Sequence, residues 1–338
     1  MTRSTKRAAT AAVSGAILGA AIITYFATVA AAPLPLGEVT MAVVDCSEVQ
    51  GNPPGGQEAA TCYAGLVACA GEATTPAVAL FHEAEATTIG LVVLATGGPG
   101  TKLYEDSQTN GQMLADELNA RGWATVQIAW PDGWANGQNG FRSLGCRPAS
   151  LLRWVYEHLH DQAAGPFLAL GNSGGSTQIA WALVSYGADE YMDVAILCSG
   201  PPHTRLELGC ADPCATCETC EGPCGGDDLP CYGPQRQADI DRAWEPENPC
   251  TVYDEALLVA DGLVDAPGAD LDWDGVTIFV IGELDQSGAP PQAGQMFNAL
   301  HLLGSPICLP GVGHGIADTT TGVEALIAIV ETFRPTGI

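Results

Sequence analysis

Continuous apolar runs alternate with amphipathic segments over most of the chain beyond residue 85. In the segment 106–121, for example, Met113, Leu114 and Leu118 recur on one helical face. The apolar runs predict buried strands at 89–95, 123–130, 167–171, 193–198, 276–281 and 307–309. The amphipathic segments predict helices at 106–121, 149–159, 174–186, 292–303 and 322–333. Strands and helices alternating in this way are typical of a mostly parallel sheet covered by helices on both faces, which is an α/β fold.

Two segments depart from this alternation. The segment 37–85 carries three short β-like runs between Pro- and Gly-containing turns, which predict antiparallel strands at one edge of the sheet. These runs are 39–44, 62–68 and 77–81. The segment 200–275 is rich in Cys, Pro, Gly and Asp, which predicts a Cys-rich acidic cap or lid insertion. The core is therefore expected in two parts, 33–199 and 276–338, on either side of the insertion.

The first 32 residues have the pattern of an export signal. Arg3, Lys6 and Arg7 precede a long apolar run that ends in small residues, as in a secretory signal peptide. The run is long for a cleaved signal, so an uncleaved N-terminal membrane anchor is the alternative. We exclude residues 1–32 from the fold and expect a secreted or periplasmic protein.

Composition narrows the range of partners. The chain carries 39 acidic and 12 basic residues, a formal net charge of −27. Such a surface repels nucleic acid and anionic lipid, so neither is expected as a partner.

Thirteen cysteines in an exported chain predict disulfides, with an odd one left over. Cys198 follows a buried run and is interpreted as a small core residue. The segment from Cys210 to Cys231 contains six cysteines, counting both ends, and we expect disulfides rather than a hydrophobic core to hold the cap. The alternative is a thiolate metal site at Cys214, Cys217 and Cys220.

The candidate chemistry is centred on Ser173. The run Gly171-Asn172-Ser173-Gly174-Gly175 is a G-x-S-x-G sequence between a predicted strand and a predicted helix. A sharp strand–turn–helix junction exposes a nucleophilic serine above the sheet, and the helix N-terminus favours the negative charge that develops there. We therefore predict that Ser173 is a nucleophile.

A nucleophilic serine requires a base and an acid that orients it. His314 lies in a glycine-flanked loop after the last predicted strand, where a catalytic base of an open α/β sheet is expected. Asp285 follows the predicted strand 276–281 and is the candidate acid, with Glu283 as the alternative. The predicted oxyanion donors are the backbone N–H groups of Gly174 and Gly98.

These residues, in the order Ser173, Asp285, His314, resemble those of α/β-hydrolase-fold serine hydrolases from about residue 37 to the end, the cap excepted. The loop Thr96-Gly97-Gly98-Pro99-Gly100 is similar to the His-Gly-Gly-Pro-Gly oxyanion loop of proline-iminopeptidase-like members, from which it departs at Thr96. The resemblance implies an acyl-enzyme mechanism that needs no cofactor.

The resulting hypothesis is a secreted serine hydrolase that cleaves small-molecule or polymeric carboxylic esters. An exported peptidase of the proline-iminopeptidase-like type is the first alternative. A non-catalytic binding protein with a hydrolase fold is the second, and the complete set of candidate residues argues against it.

Two weaker patterns complete the predictions. Tyr104, Trp130 and Trp134 follow strand ends and are candidates for lining an acyl or aromatic pocket, with packing as the alternative. The run 270–275 resembles the first half of a calcium loop, but its twelfth position is Ile281 instead of Glu. The candidate calcium ligands are Asp270, Asp272 and Asp274. The alternative to structural calcium is an acidic turn.

Overall fold

The computed structural model describes residues 32–49, 60–162, 165–211 and 232–336. These residues form a nine-stranded sheet with helices around it. The strands are β1 (Glu38–Val44), β2 (Ala60–Ala68), β3 (Thr75–His82), β4 (Gly90–Ala95), β5 (Trp123–Ala129), β6 (Phe167–Asn172), β7 (Val194–Cys198), β8 (Val276–Gly282) and β9 (Ile307–Leu309). The helices are α1 (Tyr104–Ser107), α2 (Gly111–Ala120), α3 (Gly140–Leu144), α4 (Cys146–His158), α5 (Gly174–Tyr186), α6 (Leu206–Ala211), α7 (Pro234–Arg242), α8 (Pro249–Val252), α9 (Glu255–Ala260), α10 (Ala289–Ala299) and α11 (Thr320–Glu331).

The strand order is β1-β2-β3-β5-β4-β6-β7-β8-β9. Strands β1, β2 and β3 pair antiparallel with one another, and β3 pairs antiparallel with β5. From β5 to β9 all neighbours are parallel; Val93 of β4, for example, is in register with Val126 of β5 and Ala169 of β6. The predicted antiparallel edge and parallel sheet are confirmed. The carboxyl ends of the parallel strands therefore lie along one edge of the sheet, where a site can form.

Both faces of the sheet are covered, as the continuous apolar strands predict. All residues of β4 are buried, and successive side chains point to opposite faces. Leu91 and Val93 belong to a core with α4 and α5, whereas Val92 and Leu94 belong to a second core with α2 and α11. The predicted α/β fold class, with helices on both faces, is confirmed.

The predicted helix at 106–121 is instead two helices, α1 and α2. The N–H group of Asn110 donates to the carbonyl of Ala317 at 2.9 Å, and the Asn110 side chain donates to the carbonyl of Asp318 at 2.9 Å. The chain leaves the helical path there because residues before α11 offer these acceptors. Amphipathic spacing continues through the break and so does not reveal it.

The insertion 200–275 carries α6 to α9 in its described part. Leu206, Ile240 and Leu258 are fully buried and belong to the same core as α4 and α5. A disulfide joins Cys210 to Cys250. The prediction that disulfides replace a hydrophobic core does not hold for this described part, because buried apolar side chains anchor it as well. Its residues 212–231, which include Cys214, Cys217 and Cys220, lie outside the described residues.

Further disulfides join Cys46 to Cys62 and Cys69 to Cys146, and Cys308 is also disulfide-bonded. Among the described cysteines Cys198 is a free thiol, and it is buried, as predicted for a small core residue. Residues 1–31 of the predicted signal or anchor lie outside the described residues. None of the helices in the described ranges could span a membrane.

Candidate functional site

Ser173 lies at a strained junction between β6 and α5. Strand β6 ends at Asn172, α5 begins at Gly174, and Ser173 between them has φ 53° and ψ −115°. A conformation of this kind costs about 1–3 kcal/mol and persists only where its surroundings impose it. The Ser173 N–H donates to the carbonyl of Cys198 at 2.8 Å, which ties the junction to β7. The strand–turn–helix arrangement that the G-x-S-x-G run predicts is therefore present.

Glycine is required on the helical side of this junction. A Cβ atom on Gly175 would collide with the carbonyl oxygen of Ala95 at the end of β4. The small residue lets the first turn of α5 approach the sheet closely. The N-terminus of this 13-residue helix then points its free N–H groups and positive dipole end towards the space beside Ser173.

The structure places His314 in contact with Asp285. His314 Nδ1 lies 2.9 Å from Asp285 Oδ2, with Asp285 on the turn after β8 and His314 on the loop after β9. Burial acts to raise the pKa of the Asp285 carboxyl, but the hydrogen bond and charge of His314, together with hydrogen bonds from Ser287, hold that pKa below its usual value. A buried ionised carboxylate can accept a hydrogen bond from Nδ1–H and stabilise a protonated imidazole.

Glu283, the alternative acid, has another partner. Its Oε2 accepts a hydrogen bond from the N–H of Gly311 at 2.9 Å, at the base of the loop that carries His314. Glu283 is exposed, whereas Asp285 is buried against the histidine. The geometry therefore favours Asp285 as the group that orients His314.

The serine and the histidine loop are joined through Asn172. Asn172 Oδ1 accepts a hydrogen bond from the N–H of Ile316 at 3.2 Å, and Asn172 is buried directly before Ser173. Within the described residues no hydrogen bond links the Ser173 hydroxyl to His314. In the sequence, Asn172 is marked only as a polar residue at the end of a buried strand, and no prediction included it.

The two predicted oxyanion donors lie close together. A Cβ atom on Gly174 would lie 2.8 Å from the nitrogen of Gly98, and one on Gly97 would lie 3.2 Å from Cβ of Ser173. Gly98 has φ +57°, a conformation that favours glycine, and its added Cβ would meet open space. The loop after β4 thus carries its N–H groups to the side of Ser173.

Two tryptophans form hydrogen bonds to the loop after β4. The N–H of Trp130 donates to the carbonyl of Gly100 at 2.8 Å, and the N–H of Trp134 donates to the carbonyl of Pro99 at 3.0 Å. Trp134 Nε1 also donates to the carbonyl of Gly98 at 3.3 Å. Gln178 of α5 accepts from Trp130 Nε1 at 2.8 Å, which connects the loop to the helix behind Ser173.

The three aromatic residues that were candidates for lining a substrate pocket are buried instead. Trp130 and Tyr104 have no exposed surface and Trp134 is 1% exposed, so none of the three lines an open pocket in this structure. Trp130 and Trp134 support the loop after β4, and Tyr104 packs in the core with α2 and α11. An aromatic residue after a strand end has the same sequence pattern in either role.

Hydrogen bonds of Asp270 order the acidic run before β8. Asp270 Oδ1 accepts from the N–H of Asp272 at 3.0 Å, and the Asp270 N–H donates to the carbonyl of Val184 at 2.8 Å. Across the described ranges, which include Asp270, Asp272 and Asp274, no group of three or more His, Cys, Asp or Glu residues is arranged to bind a metal ion.

No family model and no curated protein sequence matches this chain. Solved structures do resemble it. An acetyl xylan esterase from Paenibacillus sp. R4 has a TM-score of 0.53 at 16% identity, and the alignment covers 89% of this chain and 90% of the esterase chain. Brefeldin A esterase, described as a bacterial homologue of human hormone sensitive lipase, has a TM-score of 0.52 at 18% identity, with 85% and 80% coverage. Carboxyl esterase 2 from the mycorrhizal fungus Tuber melanosporum has a TM-score of 0.51 at 15% identity, with 84% and 89% coverage. Similarity at this level of identity shows the fold, and the chain has the α/β-hydrolase fold.

Proposed function

We propose that the protein is an exported serine hydrolase that cleaves carboxylic esters through an acyl-enzyme. The observation that carries the proposal is the strained Ser173 beside Gly98 and Gly174, with the His314–Asp285 pair tied to the same junction through Asn172. The esterase names of the three similar structures support the choice of an ester substrate.

In the acylation step the Ser173 hydroxyl oxygen attacks the carbonyl carbon of the ester, and His314 Nε2 accepts the hydroxyl proton. Asp285 holds the other ring nitrogen, Nδ1, in its protonated form and stabilises the positive imidazole. The carbonyl oxygen becomes negative and is bound by the N–H groups of Gly98 and Gly174. When the tetrahedral intermediate collapses, the carbon–oxygen bond of the ester breaks and His314 returns its proton to the departing alcohol.

In the deacylation step a water molecule attacks the acyl-Ser173 carbonyl. His314 accepts a proton from that water and then gives it to the Ser173 oxygen, so the acid is released and the enzyme is regenerated. Every proton is moved by His314, and every negative charge forms at the same oxyanion position. None of these steps requires a cofactor.

The disulfides support an exported location, because such bonds persist in oxidising compartments. The expected substrates are small-molecule or polymeric esters. Nucleic acid is not expected to bind, since the net charge of −27 repels it.

A panel of p-nitrophenyl esters of increasing acyl length, run beside aminoacyl and prolyl p-nitroanilides, tests the proposal. We expect turnover of at least one ester, faster than any anilide, and covalent labelling of Ser173 by a fluorophosphonate probe. Faster turnover of the anilides would indicate a peptidase. A protein that neither labels nor cleaves any substrate would be a binding protein, and the proposal would be wrong.

A further inference from the structure

The turn after β8 places a hydroxyl group beside both the candidate acid and the candidate base. Ser287 Oγ lies 3.1 Å from His314 Nδ1, and the Ser287 N–H donates to Asp285 Oδ1 at 3.0 Å. We infer that the Ser287 hydroxyl is a positioning residue that holds His314 in the orientation and tautomer required for proton transfer with Ser173. The inference rests on the proposed function.

Hydrogen-bonding capacity determines which atom donates. An ionised carboxylate only accepts, so His314 Nδ1, at 2.9 Å from Asp285 Oδ2, carries a hydrogen. Ser287 Oγ accepts from the N–H of Ala289 at 3.2 Å and retains a second lone pair for the Nδ1 hydrogen. The hydrogen of the Ser287 hydroxyl is then free to donate to Asp285. Burial acts to raise the pKa of the Asp285 carboxyl, whereas His314 and the Ser287 side chain both act to lower it, which agrees with such a bond.

The His314 ring depends on these bonds because packing holds it weakly. Its side chain is 38% exposed, so the surrounding side chains leave rotation of the ring partly unrestrained. One acceptor fixes the position of Nδ1, and a second acceptor on another residue restricts rotation of the ring about that contact. The second ring nitrogen, Nε2, is then held in place to accept the Ser173 proton.

The hydroxyl can be removed without opening the turn. The turn is closed by the N–H of Asp285, which donates to the carbonyl of Gly282 at 3.1 Å, and by the N–H of Ser287 on Asp285. Both are backbone donors that remain when the side chain at 287 changes. The effect of the hydroxyl on His314 is therefore separable from the shape of the turn.

The matched substitutions Ser287→Thr and Ser287→Val test the inference, since threonine and valine have the same shape and differ by a hydroxyl. With the best p-nitrophenyl ester of the wild-type enzyme, we expect Ser287→Val to lower kcat by about 10-fold or more with KM unchanged. Ser287→Thr should retain most of the wild-type kcat. Gln286→Ala, in the same turn with an exposed side chain, is the control and should behave as wild type. Titration of reactive serine by a fluorophosphonate corrects each kcat for the fraction of folded enzyme.

Equal kcat values for the valine and threonine variants would overturn the inference, whether both matched the wild type or both fell. A change in KM with kcat unchanged would overturn it as well, because the hydroxyl would then act on substrate binding. A wild-type protein that cleaves no ester and does not react with the probe would overturn the proposed function itself.

Discussion

Asn172 and Ile316 connect the two halves of the candidate site through one buried hydrogen bond of 3.2 Å. Asn172 precedes the candidate nucleophile, and Ile316 lies two residues after the candidate base. Other contacts hold the same loop further from the site, such as the bond from the Asn110 side chain to the carbonyl of Asp318. The Asn172 bond is therefore a contact by which a change on β6 can alter the position of His314.

The first prediction follows from this contact. Asn172→Ala should lower kcat/KM for an activated ester by up to about 10-fold, the usual effect of losing one buried neutral hydrogen bond. Asn110→Ala, which removes the more distant link to the same loop, should have a smaller effect. Steady-state kinetics of both variants test this. If Asn172→Ala kept wild-type kinetics while its thermal stability fell, the contact would stabilise the fold without positioning the base.

Ser173→Ala should abolish ester turnover and leave the fold intact. Loss of the nucleophile in a serine triad costs on the order of a million-fold in kcat. The first turn of α5 does not depend on the Ser173 hydroxyl, since Ser173 makes no side-chain hydrogen bond to the helix N-terminus. Far-ultraviolet circular dichroism and ester kinetics on a purified sample are the measurements. Retention of more than a few per cent of the activity would contradict the assignment.

Asp285→Asn and Glu283→Gln should separate the two acids after β8. Asp285→Asn should lower kcat by roughly ten-thousand-fold, because an amide in this position favours the wrong tautomer of His314. Glu283→Gln retains an acceptor for the Gly311 N–H and should lower kcat far less. The reverse order of effects would make Glu283 the orienting acid.

The sheet and the strand–turn–helix junction at Ser173 were predictable because local patterns encode them. The residues of β4 form a continuous apolar run, and the structure buries all of them. The G-x-S-x-G run requires only a strand and a helix on either side, and both are adjacent in sequence. These features depend on neighbours along the chain, which a single sequence records.

Other features depend on contacts between distant residues and leave little trace in the sequence. The bond from Ile316 to Asn172 spans 144 positions, and no local pattern marks either end. The break between α1 and α2 exists because Asn110 bonds residues before α11. The core of the insertion comes from single apolar residues on short helices, such as Leu206 and Leu258, which show no periodicity of their own.

The disulfide between Cys210 and Cys250 should contribute stability and restrain the insertion near the site. The bridge closes a loop with a sequence separation of 40 residues, so its removal should lower the free energy of unfolding by about 2–4 kcal/mol. We expect the double substitution Cys210→Ser and Cys250→Ser to change KM while Ser173 still reacts with a small fluorophosphonate.

The matched control is the double substitution Cys46→Ser and Cys62→Ser, which removes a bridge beside β2 at the antiparallel edge of the sheet. That variant should lose stability without a change in KM. Denaturant unfolding and ester kinetics of both variants distinguish the two effects. An identical KM for the two variants and the wild type would show that the insertion does not contact substrate.

The last prediction concerns Asp261, a buried carboxylate that joins the insertion to the core. It accepts hydrogen bonds from the N–H of Phe141 at 2.8 Å, the N–H of Arg142 at 2.7 Å and Trp244 Nε1 at 2.8 Å. Burial raises the pKa of Asp261 to about 7, although these hydrogen bonds and the charge of Arg142 act to lower it. The folded protein therefore binds a proton at Asp261 more tightly than the unfolded chain does.

The sign of the pH dependence follows from this difference. The contribution of Asp261 to stability is fully present below its unfolded pKa, near 3.8, and is lost as the pH rises towards 7. Between these values the free energy of unfolding of the wild type should fall, relative to Asp261→Asn, by up to about 1.4 kcal/mol per pH unit. Urea unfolding of both proteins at pH 5, 6, 7 and 8 gives this difference, and the exposed Asp272→Asn is the control. A difference that stays constant across this range would show that Asp261 remains ionised and that its three hydrogen bonds outweigh its burial.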